Sequence, residues 1–123
     1  LKSQTSSLLI VEDQHYIRDK IKEEVLKMDM YGVVHESDTL QEALKIINGE
    51  AIDTIILDLS LPDGSGLEIL SYLKEKNLGK RVFVFSASPE MKNVSIRYGA
   101  NYFFDKKNGL DPLIEMLRND TTI

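Results

Sequence analysis

Polar residues capable of chemistry follow directly on four short apolar runs in this sequence. Glu12-Asp13 follow Leu8-Leu9-Ile10-Val11, Asp58 follows Thr54-Ile55-Ile56-Leu57, Ser86 follows Val82-Phe83-Val84-Phe85, and Asp105-Lys106 follow Tyr102-Phe103-Phe104. Three carboxylates drawn within a few Å of one another repel, and a divalent cation is the simplest compensation. Magnesium prefers hard oxygen ligands and needs only a carboxylate or two from a protein. Asp13 and Asp58 suit direct coordination, and Glu12 suits holding a metal-bound water. A carboxylate is also a nucleophile toward phosphorus, and the protein's task in such a transfer is positioning and charge stabilisation. Asp58 is then the acceptor: magnesium takes one phosphoryl oxygen, the Lys106 ammonium a second and the Ser86 hydroxyl a third, with backbone amides after Asp58 assisting. Singly, each residue has a plainer role. A strand-end Asp is usually a turn or cap residue, and an acid pair before a helix complements its dipole. Their joint placement at successive run ends is what argues for a site.

Those runs must be strands, because helix-period segments alternate with them. Ile17, Ile21, Val25 and Met28 mark a first helix that Gly32 ends, and Val33-Val34 starts a second strand. Asp38 or Thr39 caps the next helix, with Glu42 completing a capping box behind Thr39 and Leu40, Ala43, Leu44 and Ile47 facing inward. Asn48-Gly49 closes it. Asp58 is followed by a Pro62-Asp63-Gly64-Ser65-Gly66 loop, a second capping box of Ser65 and Glu68, and a helix carrying Leu67, Leu70 and Leu73 that ends at Gly79. Ser88-Pro89 opens a weaker helix marked by Met91, Val94 and Tyr98, and Asp111-Pro112 a last one with Leu113, Ile114 and Leu117 inward. Five strand-then-helix units imply an α/β fold: a five-stranded parallel sheet with helices on both faces. In such sheets ligands bind at the C-terminal strand ends, where the polar residues fall.

At 123 residues the chain suits one domain, expected over 7–119, with a loose lead-in at 1–6 and a tail at 120–123. Its opening on Leu1 rather than Met points to a trimmed segment. The net charge of −5 and pI near 5.0 argue against direct binding to nucleic acid or to anionic membranes. With no cysteine, disulfides and thiolate metal sites are excluded, and a cytoplasmic setting fits. No apolar run approaches the ~20 residues of a membrane span. His15 and His35 lack partners at metal spacing and read as surface or structural residues.

The acid pair Glu12-Asp13, the stretch Asp58-Leu59-Ser60-Leu61-Pro62-Asp63-Gly64-Ser65-Gly66, Ser86-Ala87, and Gly99-Ala100 leading to Lys106 together resemble the receiver domain of two-component response regulators. The resemblance spans about Ser7 to Arg118. It implies a flavodoxin-like sheet of order 2-1-3-4-5. It also implies that Asp58 accepts a phosphoryl group from a phosphohistidine on a sensor histidine kinase or phosphotransfer protein. Metal ligands would be Asp13, Asp58, the Ser60 backbone carbonyl and, through water, Glu12. Ser86 and Phe103 would form the switch, reshaping the face of the fourth helix, fifth strand and fifth helix toward an output domain, an effector protein or a phosphorylation-dependent dimer. Phe103 stands where the family commonly has Tyr, Lys107 where it usually has Pro, and Ser60 at a variable position that influences phosphate lifetime.

Two other functions compete. A phosphatase of the haloacid-dehalogenase type would need a second carboxylate where Ser60 stands. A receiver-like interaction module acting without phosphorylation would dispense with part of the acidic cluster or the lysine, whereas both are kept. A regulatory phosphoacceptor rather than a turnover enzyme is therefore expected.

Overall fold

The alternation of apolar side chains along each strand decides the architecture, because successive residues point to opposite sheet faces. In β1 (Ser7–Val11), every residue is buried: Leu8 and Ile10 join one core, Leu9 and Val11 the other. The computed structural model describes residues 6–120; most of the expected lead-in and tail lies outside them. Two strands flank β1, namely β2 (Val33–Ser37) and β3 (Thr54–Leu57). A two-residue hairpin follows, β4 (Ser60–Leu61) with β5 (Gly64–Ser65), and then the sheet strands β6 (Arg81–Ser86) and β7 (Tyr102–Asp105). The main sheet is parallel in the order β2-β1-β3-β6-β7. Setting the hairpin aside, this is the expected order 2-1-3-4-5. The hairpin falls where the Pro62-Asp63-Gly64-Ser65-Gly66 loop was expected.

Helices cover both faces. The α1 (His15–Met28) and α5 (Asp111–Asn119) helices close over Leu8, Ile10, Ile56, Phe83 and Phe85 through Ile21, Val25, Leu113, Ile114 and Leu117. Against Leu9, Val11, Ile55, Leu57 and Val84 pack α2 (Leu40–Gly49) and α3 (Leu67–Glu75), through Ala43, Ile47, Ile69, Leu70 and Leu73. The remaining helix, α4 (Lys92–Arg97), follows a 3-10 turn over Pro89–Met91 and is only six residues long. Ser95 is its buried residue; of the expected Met91, Val94 and Tyr98, the first two are half-buried, Met91 against the α2–α3 core, while Tyr98 stays exposed.

Several boundaries differ from expectation. Helix α1 ends at Asp29 in a left-handed conformation (φ 54), not at Gly32, whose N–H donates to Ser6 O at 2.8 Å at the entry to β2. Likewise α3 stops at Glu75, with Asn77 left-handed (φ 55) before Gly79 is reached. Asp and Asn tolerate this region because their short polar side chains bond locally. Thr39 caps α2, its Oγ1 accepting from Glu42 N–H at 3.1 Å, but the box is half made: Thr39 N–H turns to Ser37 Oγ at 3.4 Å. The second box does not form, since Ser65 belongs to the hairpin and its Oγ accepts from Leu67 N–H, not from Glu68.

Candidate functional site

The strand order reverses between β1 and β3, and the crevice outside their C-terminal ends is where the acidic residues meet. The Asp58 N–H donates to Val11 O at 2.9 Å and the Glu12 N–H to Ser37 O at 3.0 Å, so both acids sit on ladder bonds that prolong the strands. Their side chains are almost fully buried, Glu12 at 1% and Asp58 at 5% exposure, whereas Asp13 faces solvent. One carboxylate oxygen from each of Glu12, Asp13 and Asp58 lies within 4.8 Å of the others. Among the described residues this is the one cluster of metal-capable groups, and neither histidine joins it. His15 is exposed, its Nε2 3.4 Å from Arg18 Nη2 and its Nδ1 beside Asp19.

Lys106 enters from the end of β7. Its Nζ lies 3.0 Å from Glu12 Oε1 and 3.2 Å from Asp58 Oδ2, over the Phe85 ring at 5.8 Å. The turn that delivers it is capped by Asp105, whose carboxylate accepts from Lys107 N–H at 2.9 Å. Among the described residues no peptide bond is cis, the Lys106–Lys107 bond included. Three carboxylates against one ammonium leave the cluster anionic once all are ionised. Glu12 registers this: burial first, then the Asp58 charge, raise its carboxyl from 4.5 to about 7, against the opposing pull of Lys106 and of the Gln14 N–H. An excess of hard oxygen donors and negative charge fits a magnesium-sized cation.

Asp58 Oδ1 accepts from the Ser60 N–H at 3.2 Å. Gly66 closes the same segment, its N–H donating to Leu59 O at 2.8 Å, and a Cβ there would sit 2.5 Å from the Asp58 carbonyl oxygen. Only glycine fits that approach. Ser86 is buried, pairs in register with Asp105, and its Oγ accepts from Ser88 N–H at 3.1 Å. Phe103, two residues before Asp105 on β7, is half-buried against the α2–α3 core.

One residue of the site escaped the sequence. Arg18 is buried, and its Nη1 donates to the Glu12 carbonyl at 2.8 Å while Nε lies 3.4 Å from Glu36 Oε1. Glu36 also holds Lys22 at 2.8 Å. The signal was present, since residues 18, 21 and 25 fall on one helical stripe, but a charged residue there reads as solvent-facing.

The family model described as response regulator receiver domain matches residues 8–118. Transcriptional regulatory protein MalR of Bacillus subtilis is 33% identical over 76% of this chain and 41% of its own length. Chemotaxis protein CheY of Listeria monocytogenes is 33% identical over 89% of this chain and 93% of its own. The chain thus spans less than half of MalR and nearly all of CheY. Among solved structures, response regulator protein TrrA from Thermotoga maritima, in complex with Mg2+-BeF, superposes with a TM-score of 0.81 at 26% identity, covering 94% of this chain and 98% of that one. No helix among the described residues is long and apolar enough to cross a membrane. By sequence and by fold alike, the chain belongs to the response regulator receiver domains of two-component systems.

Proposed function

We propose that this domain is a switch thrown by phosphorylation of Asp58. The observation that carries the reading is the setting of that carboxylate: buried, 3.2 Å from the Lys106 ammonium, and clustered with Glu12 and Asp13 at the strand-order reversal. Asp13 and Asp58, with the Ser60 carbonyl and with Glu12 through water, would hold magnesium. When bound, the metal neutralises charge on the transferring phosphoryl group. TrrA, a relative by fold, is described with Mg2+-BeF, which supports this assignment.

An Asp58 oxygen attacks the phosphorus of a phosphohistidine. The new P–O bond forms as the P–N bond breaks, and the imidazole leaves with the bonding pair and takes up a proton. Lys106 offers its ammonium to a phosphoryl oxygen, and the Ser60 N–H lies beside the acceptor. Ser86 is now engaged with Ser88 N–H; turning its hydroxyl toward the phosphoryl group frees that contact and the space beside Phe103. Phosphate oxygens thereby favour the state in which Ser86 and Phe103 have moved. The face of α4, β7 and α5 changes with them and addresses an output domain, an effector or a second copy.

The donor is a sensor histidine kinase or phosphotransfer protein in a cytoplasmic setting, and this segment touches neither nucleic acid nor membrane. No second carboxylate stands at Ser60 to drive turnover, so the domain is a regulatory phosphoacceptor with slow self-dephosphorylation. Acetyl phosphate with magnesium should add one phosphoryl mass to the wild type and none to Asp58→Asn. An unchanged wild-type mass under saturating donor would overturn the proposal.

A further inference from the structure

Asp63 takes no part in the chemistry above, yet it ties down the segment that carries Asp58. The residue is exposed at the tip of the β4–β5 hairpin. Its Oδ1 accepts from Leu40 N–H at 2.7 Å and its Oδ2 from Gln41 N–H at 3.0 Å. These are the first two residues of α2, which already has a local cap in Thr39. The free N–H groups of the helix start are therefore shared between a neighbour in sequence and a distant carboxylate. Gly64 next to it is left-handed in φ (+155), and a Cβ there would fall 2.8 Å from Leu40 Cδ2, so the tip is seated on the α2 start.

From that anchor the structure is continuous to the acceptor. The hairpin pairs Leu61 with Gly64 and Ser60 with Ser65, and the Ser60 N–H meets Asp58 Oδ1 at 3.2 Å. At the far end Gly66 is pressed against the Asp58 carbonyl. The segment has little freedom except at its tip, and the tip is held by Asp63.

We propose that Asp63 is a positioning residue for phosphoryl uptake: by anchoring the hairpin tip to the start of α2, it holds the Ser60 N–H beside Asp58. The proposal rests on the reading of Asp58 as phosphoryl acceptor. A helix cap alone would stabilise α2 equally well from Thr39; the distant carboxylate differs in fixing a loop.

That difference sets the test, which compares Asp63→Ala and Asp63→Asn with Thr39→Ala as a control that loosens the same helix end without touching the hairpin. In metal-free buffer, amide hydrogen exchange at Ser60 and Leu61 should quicken about tenfold or more in Asp63→Ala and stay at the wild-type rate in Thr39→Ala. With acetyl phosphate and magnesium, the initial rate of mass gain should fall about tenfold in Asp63→Ala and stay within about twofold of wild type in Thr39→Ala. Asp63→Asn, which keeps one acceptor oxygen, should recover part of the loss in both. Wild-type exchange or a wild-type phosphorylation rate in Asp63→Ala would overturn the proposal, as would equal impairment in Thr39→Ala. A wild type that takes up no phosphoryl group would refute the acceptor role of Asp58, while exchange at Ser60 would still report separately on the anchor.

Discussion

Replacing Glu12 by Gln should change how stability depends on pH in metal-free buffer. Burial and the Asp58 charge raise the Glu12 carboxyl from 4.5 to about 7 in the folded protein. Between those values the native state keeps a proton that the unfolded chain has released, so stability falls as pH rises through the window. Each pH unit of separation is worth about 1.4 kcal/mol, and the whole window therefore costs about 3 kcal/mol by pH 8. For a domain of this size that corresponds to a Tm lower by about 10 °C. Gln cannot ionise and resembles the protonated acid in shape. The variant should match the wild type below pH 4.5 and exceed it by about 3 kcal/mol at about pH 8. Asp63, held below its usual 3.8 by the Gln41 and Leu40 N–H groups, contributes stability that is lost only in stronger acid, outside this window. Thermal melts with a chelator across the range read the difference directly. Saturating magnesium should remove it by stabilising the ionised wild-type cluster. Parallel pH profiles for the two proteins would refute the claim that Glu12 is a destabilised buried carboxyl.

Lys106→Ala removes the ammonium from two buried carboxylates and should cost about 3 kcal/mol in metal-free urea titrations above pH 7. The loss should shrink below that pH as Glu12 protonates, and phosphoryl uptake should slow by about a hundredfold at any pH. Gly66→Ala forces a Cβ against the Asp58 carbonyl oxygen, where backbone must give way. It should lose about 1–3 kcal/mol in the same titrations and slow acetyl phosphate uptake, whereas Ala at Gly49, which has open space, should do neither.

The parts of this domain legible in the sequence were those set by periodicity and by position at strand ends. Runs such as Leu8–Val11 and Val82–Phe85 announced buried parallel strands because both faces are apolar. The convergence of Glu12, Asp13, Asp58 and Lys106 then followed from where those strands end. Less was legible where a residue acts through a partner distant in sequence. Asp63 looked like an ordinary turn residue because its partners, Leu40 and Gln41, lie more than twenty residues away. Arg18 did not stand out because nothing local shows that the Glu12 carbonyl and Glu36 will receive it. The helix ends at Asp29 and Asn77 were assigned to the next glycines because glycine enters the left-handed region most readily, yet the turns came earlier. The Thr39 cap, local to one helix end, could be read; the contacts that Asp63 and Arg18 make with distant partners could not.

The most direct test of the central claim is chemical trapping of the acceptor. An aspartyl phosphate is an acyl phosphate, and borohydride reduces the aspartyl carbon and converts that residue to homoserine. After incubation with acetyl phosphate and magnesium, peptide mass mapping should find homoserine at position 58 and nowhere else, and none when magnesium is chelated. Homoserine at Asp13, or a phosphoryl group added with position 58 unchanged, would contradict the account.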